Sequence, residues 1–239
     1  MSGMNIAALL EDAPYEESSI VAFEGHVAAQ KAGSVEYDFN ANKVLLKSYQ
    51  CNSSINNAQV VCDILVLGLM QLPKTDFFEL SFLIPSKYLP QSKAEKTEEA
   101  LAFIAQVSTV TKCANLLEQA QYNEFWAELS SNEAAKNIFS FHNCQSSLRT
   151  FILNNVSNAY KNISKTLLLG LLGYTNDQNA FTTFINSNSK VVDLSQTSGD
   201  NDVINFIENA SNNNNKTKKS ELSLRVTDML NIVSSIRGA

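Results

Sequence analysis

Apolar residues recurring three and four positions apart, the spacing that gives a helix one buried stripe, dominate the first 140 residues. Ile20, Phe23, Val27 and Ala28 fall on such a stripe, with Glu16, Glu17 and Glu24 largely off it, until Gly33 and Ser34 break the pattern. A helix is predicted over 41–49, burying Val44, Leu45 and Leu46. Between 59 and 72 the chain is apolar nearly all round, interrupted mainly by Asp63, and Pro73 stops it. A helix apolar on every side is covered on several sides, so this one belongs at the centre of a stack.

A short apolar segment follows over 75–85, closed by Pro85, and 88–96 reads as a polar loop. The longest amphipathic segment comes next, with Ala100, Phe103, Ile104, Val107, Val110, Ala114 and Leu117 at helical spacing; 122–129 is a further short helix. Alternating helices and short loops suggest helix pairs stacked into an arc, without a strict sequence period.

After Asn143 the pattern changes. Leu148, Phe151, Ile152, Val156 and Tyr160 mark one helix. Ser164 is the expected N-cap of a second, over 165–172, which Gly173 ends. Thr175-Asn-Asp-Gln178 has the form of a capping box, with the threonine at N-cap, and opens a third helix carrying Phe181, Phe184 and Ile185. Two β-rich pieces, 191–194 and 203–207, flank a turn-forming stretch. Three helices followed by a two-stranded ribbon is the order of a winged helix. An Asn/Lys tract over 209–219 reads as a solvated loop. The last segment is an amphipathic helix of Leu222, Val226, Met229, Leu230, Val233 and Ile236.

The predicted fold is therefore mainly α: a HEAT-like helical repeat domain over 1–138, a winged-helix domain with a small β-ribbon over 139–208, a loop over 209–219 and a C-terminal helix over 220–239. Eight glycines and four prolines in 239 residues leave the long uninterrupted windows this reading needs. Hydrophobic residues at 44% and charged residues at 18% are a globular balance.

Charge narrows the function. A net charge of −6 is the wrong sign for a free-standing nucleic-acid binder, which shows a basic footprint. The third helix of the winged motif offers Gln178, Asn179, Asn186 and Asn188 but no cation before Lys190, so sequence-specific DNA reading is not expected. Lys161, Lys165 and Lys190 remain candidates for RNA-phosphate contacts within a larger assembly. The start meets acid at Glu11 with no basic region before it, and the most apolar window, 64–70, is far short of a membrane span. A soluble cytoplasmic protein is the expectation, and the wide spacing of Cys51, Cys62, Cys113 and Cys144 suits buried reduced thiols.

Catalytic chemistry finds little support. His142-Asn-Cys144 sets an imidazole near a thiol, but zinc needs three or four ligands and only His26 remains as a second imidazole. A loop histidine beside a packed cysteine explains the pair. Glu16/Glu17 and Glu98/Glu99 read as solvated helix faces, and no phosphate-cradling glycine loop occurs. No catalytic, cofactor-binding or metal-ligating residue is assigned, and no small-molecule substrate is expected. The C-terminal helix packs on its own domain or joins a partner's helices; for the second case Met229, Leu230, Val233 and Ile236 are the candidate anchors.

Four blocks occur in order over 37–152: Tyr37-Asp-Phe-Asn-Ala-Asn with Leu45-Leu-Lys-Ser-Tyr-Gln50, then Leu72-Pro-Lys-Thr-Asp-Phe77, then Asn115-Leu-Leu-Glu-Gln-Ala-Gln-Tyr-Asn-Glu-Phe-Trp-Ala-Glu-Leu129, then Ser147-Leu-Arg-Thr-Phe-Ile152, within a likeness that covers roughly 37–195. In this order they resemble the subunit K family of eukaryotic translation initiation factor 3, whose arrangement is PCI-type. The resemblance implies a non-catalytic scaffold within a multisubunit complex, pairing with subunit L at the periphery of a core that binds the small ribosomal subunit. The 91–97, 197–202 and 212–219 stretches look enlarged relative to that family. Two alternatives share parts of the pattern: a small PCI subunit of the proteasome lid or signalosome, and a stand-alone winged-helix regulator.

Overall fold

The computed structural model describes residues 6–12, 14–52, 57–84, 98–175, 177–193 and 203–207, and the fold is mainly helical. Helix α4 (Ala58–Leu69) is its centre: every residue over 61–69 is buried, and α2 (Glu17–Lys31), α3 (Phe39–Cys51), α5 (Asp76–Ser81), α6 (Glu98–Glu118) and α8 (Glu133–Ile138) all pack on it. Its apolar residues on every side require that cover, since each exposed Leu or Ile would forgo burial worth about 1.5–3 kcal/mol. The Asn57 side chain caps its first turn by accepting from the Gln59 and Val60 amides. Helix α1 (Ile6–Asp12), which packs on α2 and α3, and α8 were not anticipated; both are too short to show a periodic stripe.

Buried polar groups are paired where these helices meet, as burial demands. Gln30 and Asn42 exchange side-chain amide hydrogen bonds of 3.0 and 3.1 Å between α2 and α3, and Gln30 Oε1 also accepts from the Asp38 amide. Asp63, buried on α4, accepts from Lys31 Nζ at 2.9 and 3.1 Å and from Gln59 Nε2 at 2.9 Å. The Tyr49 hydroxyl hydrogen-bonds the Glu24 carboxylate, tying α3 to α2 a second time. On α2 the stripe is Ile20, Phe23 and Val27; Ala28 is exposed, and Gln30 takes the next buried position. Ala28 departs from the expectation because the face toward α3 ends on a polar pair rather than a methyl group.

Helix α7 (Tyr122–Ser131) and α8 follow α6, and α9 (Cys144–Ala159) opens from Asn143, held in the left-handed region at φ 57°. Tyr160 lies just past α9 as its C-cap and is exposed rather than on the buried stripe. Strand β1 (Asn162–Ser164) then leads into α10 (Lys165–Leu171), whose N-cap is Ser164 as expected, its hydroxyl accepting from the Leu167 amide at 3.3 Å. Helix α11 (Gln178–Ser187) is capped by Asp177, not Thr175: the carboxylate accepts from the Ala180 amide at 2.9 Å. The Asp177 amide donates to Tyr174 O at 3.1 Å, which places Thr175 before the helix and leaves the aspartate to take the cap.

The β structure is a three-stranded antiparallel sheet of order β1-β3-β2, with β2 at Val192–Asp193 and β3 at Val203–Phe206. Ile163 lies opposite Ile204 and Val192 opposite Phe206, and these four side chains form its buried face. A ribbon of two strands was expected; β1 supplies a third, on the far side of β3. The polar loop predicted over 88–96, the Asn/Lys tract and the C-terminal helix lie outside the described residues. Among the described residues no helix is long and apolar enough to cross a membrane.

Candidate interaction site between α7 and α10

The last turn of a helix presents carbonyls with no partner of their own. At the end of α10 all of them are taken. The Tyr174 amide donates to Leu169 O at 2.9 Å and the Gly173 amide to Gly170 O at 3.0 Å, the two bonds of a Schellman ending, with Gly173 at φ +69°. The next two carbonyls accept from outside the helix: Trp126 Nε1 donates to Leu171 O at 2.9 Å and Arg149 Nε to Leu172 O at 3.0 Å. A cation at a helix C-terminus also complements the macrodipole.

The same two side chains pack together. The Arg149 guanidinium lies 4.8 Å from the Trp126 ring centroid and 4.1 Å from that of Tyr174. Trp126 is set against Gly173 so closely that a Cβ there would sit 2.6 Å from Cδ2. Its neighbour Phe125 is fully buried, edge-on to both Trp126 and Phe139. Helices α7 and α9 and the α10 ending are thus clamped at one point, and Tyr174 in turn packs on Phe181 and Phe184 of α11.

Beside this clamp lies a groove of about 760 Å³. It is lined by Trp126 and Leu129 of α7, by Gly170 and Gly173 at the α10 end, and by the exposed Gln145 and Lys136. Among the described residues Lys136 is the one charged side chain of the lining; it is exposed and lies 3.3 Å from Glu133, also exposed. An exposed pair of this kind contributes little and is readily redirected.

The other sequence candidates separate. Cys144 is fully buried and burial pushes its thiol up to about 12, while His142 is exposed and its ring lies against Gly33. Burial likewise raises the Cys62 and Cys113 thiols to about 12, whereas Cys51 is exposed, contrary to the expectation of four buried thiols. Cys51 is the last residue of α3, where the helix runs out of cover. Among the described residues no group of three or more His, Cys, Asp or Glu side chains is placed to hold a metal ion.

Of the three candidate lysines, two share one end of the sheet. Phe206 N donates to Lys161 O and Ile207 N to Val191 O, which sets Lys161 and Lys190 both beside the end of β3. Lys165 follows Ser164, which pairs with Val203 at the opposite end. The exposed face of α11 carries Gln178, Asn179, Thr182, Thr183 and Asn186, and the helix has no basic side chain. Met229, Leu230, Val233 and Ile236 lie outside the described residues.

The clamp escaped the sequence reading because its partners are far apart in the chain. The Phe125-Trp126 pair and the block containing Arg149 were both visible, and Gly173 was visible as a helix stop; nothing in periodicity links them.

Comparison with known proteins gives the family. The family model described as the CSN8/PSMD8/EIF3K family matches residues 55–209, more than half of the chain. Curated relatives include eukaryotic translation initiation factor 3 subunit K of Drosophila erecta, 32% identical over 165 residues, and that of Drosophila persimilis, 30% identical over 164. The subunit of the same name from Drosophila grimshawi is 31% identical over 164 residues. Each match covers 68% of this chain and spans 66% of the relative's own length. The matched family region contains α4 through β3, the clamp included, and on that match the chain belongs to the CSN8/PSMD8/EIF3K family.

Proposed function

We propose that this chain is a non-catalytic scaffold subunit of a cytoplasmic eukaryotic translation initiation factor 3 complex, acting in assembly of the preinitiation complex on the small ribosomal subunit. The observation that carries the reading is the similarity to subunit K over 68% of the chain. The helices packed around α4 and the helix–sheet unit after Asn143 are consistent with a HEAT-like stack over 1–138 followed by a winged helix over 139–208. The absence of any cation on α11 favours protein contacts over base reading for that unit.

Its partners are then the other subunits of that factor, subunit L foremost. The terminal helix over 220–239, with Met229, Leu230, Val233 and Ile236 as anchors, is a contact to them. Lys161, Lys165 and Lys190 touch RNA phosphates within the assembly. Coexpression with subunit L, followed by size-exclusion chromatography, tests the pairing: a one-to-one complex supports it, and separate elution of the two contradicts it. The same architecture serves the proteasome lid and signalosome reading, which the breadth of the family description leaves as the second candidate. The named relatives favour the initiation factor.

A further inference from the structure

We infer that the groove between α7 and α10 receives a short linear segment of a partner subunit, bearing a carboxylate next to an aliphatic or aromatic side chain. This rests on the scaffold reading above and names the partner chemistry that one face of it would take.

Three features of the lining point to that occupant. The indole of Trp126, half-buried and fixed by its bond to Leu171 O, offers a rigid apolar surface of the kind that anchors interfaces. Gly170 and Gly173 carry no side chain, so beyond the indole that packs on Gly173 the α10 end adds no bulk to the groove. Among the described residues the lining carries one charge, that of Lys136, and no carboxylate. A guest carboxylate meets Lys136 without repulsion from the lining and competes only with the exposed Glu133. A basic guest finds no counter-charge. A small metabolite is disfavoured because such sites converge several polar groups on an enclosed ligand, whereas this groove offers a half-buried indole and, among the described residues, a single cation.

Trp126 is the chain's one tryptophan and lines the groove, so with peptides free of tryptophan the emission comes from this site. The test is selection of a displayed random octapeptide library on the full chain. Enriched peptides are then synthesised with their Asp or Glu changed to Asn or Gln, and titrated against the full chain and its Lys136→Met and Lys136→Glu variants. The expected result is a saturable change in Trp126 emission with the acidic peptides, weakened about tenfold by the amide exchange or by Lys136→Met, and more by Lys136→Glu. Lys136 is exposed on α8, so both variants keep the fold.

Enriched peptides without acidic residues, affinity indifferent to Lys136, or no peptide that alters Trp126 emission each overturns the inference. Concentration-dependent self-association abolished by Lys136→Glu overturns it in favour of a second copy of this chain. A chain that still forms its complex with subunit L while failing the peptide test loses only this inference; one that passes the peptide test but forms no such complex loses the scaffold reading instead.

Discussion

Arg149 lies 4.1 Å from the centre of the Tyr174 ring while its Nε donates to the Leu172 carbonyl two residues earlier, so one side chain both closes a helix end and carries the aromatic that follows it. Trp126 makes the matching bond to Leu171 O from α7. Helix α10 is thereby oriented by α7 and α9 rather than by its own seven residues, too few to hold a helix alone.

Replacing Arg149 separates charge from shape. Arg149→Ala loses a charged hydrogen bond and two ring contacts and is expected to cost about 2–3 kcal/mol. Arg149→Lys keeps the charge but not the planar fork and is expected to recover less than half of that. Urea unfolding gives both values; an alanine variant within about 0.5 kcal/mol of the parent removes the clamp's energetic role.

Two glycine-to-alanine changes are expected to act in opposite directions. At Gly173 the φ of +69° and the indole 2.6 Å from the new Cβ make alanine destabilising by about 2 kcal/mol or more. At Gly25, inside α2 with nothing within 4 Å of the new Cβ, alanine stabilises by about 0.5–1 kcal/mol. Thermal midpoints of the two variants moving in the same direction contradict the assignment.

The Lys31–Asp63 pair is expected to couple. Asp63 is buried but Lys31 is more than a third exposed, which screens the interaction. A double-mutant cycle with Lys31→Met and Asp63→Asn is therefore expected to give about 1 kcal/mol. Strict additivity of the two changes indicates that Gln59 alone satisfies the carboxylate.

The thiols give a pH dependence. Cys62, Cys113 and Cys144 are raised from an ordinary 9.0 to about 12 by burial, so above pH 9 the unfolded chain releases protons the folded chain retains. Stability is unaffected by them below that pH and falls as pH rises from 9 toward 12. In native protein at pH 8 one of the four cysteines, Cys51, is expected to react with a thiol reagent, and all four after unfolding. Prompt native reaction of more than one contradicts this burial.

Local signals carried most of the helical fold. The all-round apolar run was enough to find α4 and its central position, and Ser164 and Gly173 marked both ends of α10, because caps and stripes act within a few residues. Strand β1 was invisible: Asn162-Ile163-Ser164 is three residues long with one apolar side chain, and it becomes a strand only through β3, some forty residues on. Gln30 was passed over for the same reason, since what buries it is Asn42 on another helix. The clamp and its groove depend on contacts from Trp126 to Gly173, across a separation that no periodic pattern spans.

Isolating the tagged full-length chain from a cell extract and quantifying its companions by mass spectrometry bears on the scaffold reading as a whole. Initiation factor 3 subunits in near one-to-one amounts, with small ribosomal subunits in the heavier fractions, is the expected result. Recovery with proteasome lid or signalosome subunits, or with no stoichiometric companion, contradicts it.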